Sequence, residues 1–286
     1  MIRCDKLVAL LSLCALLAAG LAQGGTRRLA LELAREGDHL PAALEFRRLA
    51  LGDAEEEERA GYYWLAGHQY GLAGDYERSE DMLDRAEDLD WDILDSATLL
   101  RAENAVGRRR PNEAEFYFES LLPREDEATR YAALRLASLR LRQGKFGSAR
   151  QLLSEHAPDD NVALESLRRY RAGSDKSPVV GGMLGMIPGF GHFYSGEYAN
   201  GLRAMILNAI FIYGMVETAS DDHWGAFTVI TFFELTWYSG SIYGGIDAAH
   251  RHNRDRLERA VDGIEGNSNF EPQWQAAPTI AIEFTF

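Results

Sequence analysis

His192, Tyr194 and Glu234 are the side chains best placed by type and setting to do chemistry. An imidazole titrates near neutrality, so His192 reads as a proton shuttle or metal ligand, or as a hydrogen-bonded packing residue. Glu234 lies inside an apolar run at 226–249, and a carboxylate at membrane depth needs a partner or a function. His192 or Tyr194 is its expected partner. A second group is acidic: Asp75, Glu77, Glu80, Asp81, Asp84 and Glu87, continuing to Asp95. It reads as a solvated helix face, or as a patch for a basic partner or loosely held divalent cations. No loop has the D-x-D-x-D-G order of a calcium site. The chain also has no G-x-S-x-G elbow, no H-E-x-x-H helix and no phosphate loop. No catalytic residue, metal site or cofactor is therefore assigned, and the chain does not read as an enzyme.

The elements that position these residues divide the 286-residue chain in four. Residues 1–22 form a basic start, an apolar stretch and small residues before a cut after Ala22, the pattern of a secretory signal. An uncleaved anchor is the competing reading. Both cysteines, Cys4 and Cys14, fall in this leader, so a processed chain has no thiol chemistry and no disulfide. A net charge of -14 argues against a nucleic-acid partner.

Residues 26–172 show a quasi-repeat of about 33–37 residues. Gly37, Gly74, Gly107 and Gly144 mark its turns. In the second unit Gly67, Tyr70, Gly74, Tyr76, Leu83 and Ala86 follow a small-aromatic-Gly-aromatic-large-small order, with Ser79 where alanine is usual. The third unit needs about two residues inserted at Arg109-Arg110, so that Ala114, Phe118 and Leu121 take the second-helix positions. A further helix is expected near 162–170. This stretch resembles the tetratricopeptide-repeat (TPR) family. The resemblance implies a helical-hairpin solenoid that holds a protein partner.

Residues 178–254 read as a membrane module, after a linker at 173–178. The apolar runs are 202–216 and 226–249, and the segment 179–193 is expected to insert as a third crossing. That arrangement puts the acidic loop at 217–222 outside and the basic flank at 251–256 inside. The motif Pro188, Gly189, Gly191, His192, Phe193, Tyr194, Gly196 and Gly201 resembles the TM2-domain family, without its Arg between the His and the Phe-Tyr pair. The resemblance implies a small membrane-embedded helical module. Glycines there permit a bend and close backbone approach, and the aromatics suit a lipid–water interface.

Residues 255–286 form a tail, with a helix near 257–264, a loop at 266–269 and an alternating strand at 279–286. The strand is expected to stand alone or bind a partner. The fold class is thus mainly α: a TPR-like hairpin solenoid followed by a small transmembrane helical module. The expected function is an exported, membrane-anchored scaffold whose repeats bind a protein in the bacterial cell envelope, facing the periplasm, with membrane lipid as the other partner. The alternative is a small transport or lipid-handling membrane protein with a polar intramembrane site.

Overall fold

A computed structural model describes residues 26–123, 127–266, 269–272 and 280–283. The segment 1–22, read as a secretory signal, and with it both cysteines, lies outside these residues. The chain is mainly helical. It forms two compact units, one of the residues up to Asp160 with those from Glu265 on, the other Asn161–Ile264.

In the first unit α1 covers residues 26–36. It is followed by α2 (His39–Ala50), α3 (Glu56–Leu72), α4 (Tyr76–Leu89), a 3-10 turn (Trp91–Ile93), α5 (Leu94–Gly107), α6 (Pro111–Leu121), α7 (Glu127–Arg142) and α8 (Phe146–His156). These helices pair as α1/α2, α3/α4, α5/α6 and α7/α8 around turns of one design. The turn residue sits in the left-handed region in all four: Gly37 at φ 81°, Gly74 at 78°, Arg109 at 59° and Gly144 at 76°. Each turn residue donates its N–H three residues back, and the next residue donates five back, as in Gly74→Gly71 and Asp75→Tyr70. This closes the carbonyls left open at a helix C-terminus.

Numbered from these turns, the units fall into one register, at intervals of 37, 35 and 35 residues. Seven residues before the turn stand Ala30, Gly67, Ala102 and Ala137. Five after it stand Ala42, Ser79, Ala114 and Ala149, and nine after it Phe46, Leu83, Phe118 and Leu153. All twelve are buried. Small residues let the two helices of a hairpin close, and the large residue fills the space one turn on. No insertion is needed in the third unit, because its turn residue is Arg109 rather than Gly107. Gly107 ends α5, where the Tyr76 phenol packs against it and leaves no room for a Cβ. Arg109→Gly is therefore expected to raise stability by about 0.5–1 kcal/mol, since a side chain is strained at positive φ. Thermal unfolding of the two proteins checks this.

Ser79 takes the alanine position for a reason visible in its contacts. Its hydroxyl donates to the Gly67 carbonyl at 2.7 Å and accepts from Asn104 Nδ2 at 2.8 Å, all within the core between α3, α4 and α5. Ser79→Ala strands the Asn104 amide and is expected to cost about 1–3 kcal/mol, read as a lower urea midpoint. The acidic face of α4 is organised rather than simply solvated. Arg101 of α5 donates to Glu80 at 3.0 Å, to Asp84 at 2.6 Å and to both oxygens of Glu87.

The tail strand has a partner. β1 (Asn269–Pro272) and β2 (Ile280–Glu283) pair antiparallel, Asn269 opposite Glu283. The segment read as a loop at 266–269 thus runs into the strand that completes the pair. The rest of the alternating segment lies outside the described residues.

The second unit comprises α9 (Asn161–Ala172), α10 (Pro178–Gly185), α11 (Phe190–Tyr194), α12 (Tyr198–Ser220) and α13 (Trp224–Glu265). The expected helix at 162–170 is α9. The expected helix at 257–264 is the end of α13, which continues from the apolar run without a break over 42 residues. α12 is the one helix among the described residues long and apolar enough to cross a membrane. The segment 179–193, expected as a third crossing, does not form a single helix of spanning length. α10 has eight residues and α11 five, far short of the roughly 20 a crossing needs. Pro188 and Gly189 divide them, with Gly189 at φ 87°.

Candidate functional site

The Gly-rich motif folds back on α13 through bare backbone. A Cβ on Gly245 or Gly181 would strike the carbonyl oxygen of the other. A Cβ on Gly191 would meet the Gly181 carbonyl and stand 2.6 Å from the Gly245 Cα, and one on Gly185 would stand 2.7 Å from the Ser241 carbonyl. Gly189, N-terminal to α11, presses on the Gly201 backbone of α12 and donates its N–H to Ser241 Oγ at 3.3 Å. Gly201 in turn seats the Phe193 ring. Phe193 also meets Phe190 edge-on and stacks on Tyr198. Gly196, at φ 85°, closes α11 with the same turn as the hairpins of the first unit.

This packing sets a polar cluster at the start of α12. Glu197 Oε2 accepts from His192 Nδ1, Asn200 Nδ2 and Arg251 NH2, each at 2.9 Å, and Oε1 accepts from Arg251 Nε at 2.8 Å. Arg251 also pairs with Asp247. The Arg251 fork, with help from Asn200 and His192 and against a desolvation penalty, holds the Glu197 carboxyl down to about 2. Glu197 thus takes the Nδ1 side of the imidazole and leaves Nε2 as the ring nitrogen outside the cluster. That nitrogen lies against Gly244, where a Cβ would stand 2.8 Å away.

The expected partnerships around Glu234 are corrected by this geometry. His192 is held by Glu197, and the Tyr194 hydroxyl accepts from the Ser177 N–H at 3.0 Å, with Lys176 over its ring at 4.8 Å. Glu234 is 7% exposed, and its Oε2 has no hydrogen-bond partner. The segment 173–178 is likewise pinned rather than loose. Lys176 exchanges two backbone hydrogen bonds with the Asn253 amide, and Arg256 pairs with Asp175.

Beside His192, the facing sides of α12 and α13 leave a cavity of about 420 Å³. Arg203, Leu207, Asn208, Trp237 and Ser241 line it with His192. Among the described residues no group of acidic or histidine side chains is arranged to hold a metal.

In the first unit the sequence-marked residues are structural. Tyr70 and Ala86 are fully buried, Gly67 meets Leu83, and Tyr76 carries the Arg108 guanidinium over its ring at 5.3 Å. Between α3 and α5 a groove of about 370 Å³ is lined by His68, Gly71, Leu72, Tyr76, Glu103 and Asn104. Burial, with the charge of His39 adding to it, pushes the His68 imidazole down to about 4, so it is neutral at physiological pH.

Glu197, Arg251 and Asn208 were not singled out in the sequence, and neither were Gly181 and Gly185. The four-residue spacing of those two glycines, on a segment after a Ser-Pro helix start, is the signal that marks them as a packing face. No protein-family model matches the chain, and no curated protein or solved structure shows significant similarity to it.

Proposed function

We propose that the chain is a non-enzymatic, membrane-anchored scaffold of the cell envelope. In this reading α12 and the first half of α13 cross the membrane as a TM2-like hairpin, and the four helical hairpins form a TPR-like solenoid that holds a protein partner outside the cytoplasm. The observation that carries it is the apolar surface of the second unit. Leu202, Ile206, Ile210 and Tyr213 on α12, with Phe232 and Leu235 on α13, are all exposed. Contiguous apolar surface of that extent marks a membrane or protein contact. Within the apolar runs Asn208, Glu234 and Ser241 are by contrast buried, and the exposed Thr228, Thr236 and Ser239 spend their hydroxyls on carbonyls of their own helix. This inverted distribution suits lipid better than water. The common register of the four hairpins supports the scaffold half, because such units present a continuous groove to an extended partner.

Two measurements test it on the full chain. Alkaline carbonate should leave the protein in the membrane pellet, and complete release overturns the anchor. A photocrosslinking residue at exposed Leu72, beside the α3–α5 groove, should give a discrete protein adduct in intact cells. An adduct at Leu72 no stronger than one at exposed Leu51, which caps α2, defeats the partner reading.

A further inference from the structure

We propose that the cavity between α12 and α13 binds the head of a hydroxyl-bearing anionic phospholipid, through Arg203, Asn208 and His192. Asn208 is the starting point. It is 1% exposed, its Nδ2 donates to the Ala204 carbonyl at 2.7 Å, and its Oδ1 has no donor. An unpaired buried acceptor costs about 1–3 kcal/mol, and here it belongs to a residue that lines the cavity. His192 lines the same cavity, and with Nδ1 taken by Glu197 its Nε2 is the ring nitrogen left to meet a ligand. The unpaired Asn208 oxygen and that imidazole nitrogen ask for a ligand that can donate, as a hydroxyl does. Arg203 adds a positive charge with no carboxylate partner. Its guanidinium meets the neutral Asn200 amide at 3.4 Å, and it lies in the first turns of α12, where a phosphate would sit at the membrane surface. Leu207 and Trp237 supply the apolar wall, and exposed Leu202 and Ile206 continue it outside the cavity along α12. A volume of about 420 Å³ is within the range of small-molecule sites.

The phosphate takes the Arg203 charge, the head hydroxyl donates to Asn208 Oδ1 or His192 Nε2, and the acyl chain leaves along α12. The site rests on the membrane reading of α12. Carbonate extraction tests that reading separately, so a protein that stays in the membrane without lipid selectivity overturns the site alone.

The experiment is thermal unfolding of the full chain in dodecyl maltoside with added phosphatidylglycerol, phosphatidylcholine or free glycerol 3-phosphate. Phosphatidylglycerol at about ten times its Kd should raise the midpoint by about 3 °C, and phosphatidylcholine should not. Arg203→Gln, at an exposed position, should fold normally and bind about tenfold more weakly. Asn208→Leu should lose the shift while folding at least as stably as wild type, since it removes the unpaired acceptor. Equal shifts from both lipids, or unchanged selectivity in Arg203→Gln, overturn the proposal. A shift from glycerol 3-phosphate equal to that from the lipid supports the site with the free ester as its source.

Discussion

Gly245→Ala is expected to destabilise the second unit by about 3 kcal/mol or more, enough to abolish its cooperative unfolding transition. The added methyl would collide with the Gly181 carbonyl and crowd the Gly191 Cα at 3.1 Å. Every atom in its way is backbone, held by α10 and α11, so no rotamer change relieves the clash. Gly240 provides the comparison. It lies five residues earlier in α13, and nothing comes within 4 Å of a Cβ built there. Gly240→Ala should be neutral or stabilising by up to about 1 kcal/mol, through helix propensity alone. Similar losses in both variants would mean that the glycines serve some purpose other than close approach.

Acid should weaken the same unit through Glu197. Its carboxyl falls from the ordinary 4.5 to about 2 in the folded protein, chiefly because Arg251 donates to it. The folded state therefore binds that proton less readily than the unfolded one. The stabilisation is complete above pH 4.5 and drains away as pH falls toward 2. Discounted for the part of the side chain that water reaches, it amounts to about 1–2 kcal/mol. Arg251→Met removes the main donor and leaves Glu197 and Asp247 side by side without their cation. It should cost about 2 kcal/mol at pH 7 and flatten the stability profile between pH 4.5 and 2. Denaturant midpoints of both proteins at pH 7, 4 and 3 measure this. A variant that keeps the wild-type acid slope would show that Arg251 does not hold the carboxylate.

The hairpins of the first unit were legible because their turns need a residue at positive φ, and glycine supplies it three times out of four. The turn of the third unit hid behind Arg109, and nearby Gly107 drew the register two residues off. Gly107 is small for Tyr76, a contact from the preceding hairpin that local pattern does not reveal. The two long helices α12 and α13 were legible as apolar runs, but the segment 179–193 has the same composition whether it spans or folds back. Pro188-Gly189 decides between them, and the backbone contacts with Gly245 show why the chain bends there. The Glu197–Arg251 pair joins residues 54 apart. Within its own stretch, Arg251 belongs to a basic flank that suggested only topology. The strand at 280–283 was readable by alternation, whereas its partner at 269–272 carries a proline and a turn-like approach. Pairing, not propensity, makes it a strand.

The unbroken course of α13 makes it a shaft with a fixed phase. Its Gly245 face docks α10, and farther along Asn253 holds Lys176, Arg256 reaches the Tyr170 carbonyl at 2.7 Å, and Gly263 admits Ser166. These sites share one helix and so one angular setting. A single residue added after His250 would turn everything beyond it by about 100°, pulling Arg251, Asn253 and Arg256 off their partners together, and seven added residues would restore the angle to within about 20° only by carrying these sites about 10 Å along the axis. The helix thus behaves as a key whose teeth are cut at both ends. Neither its phase nor its length can drift before one lock or the other fails to turn.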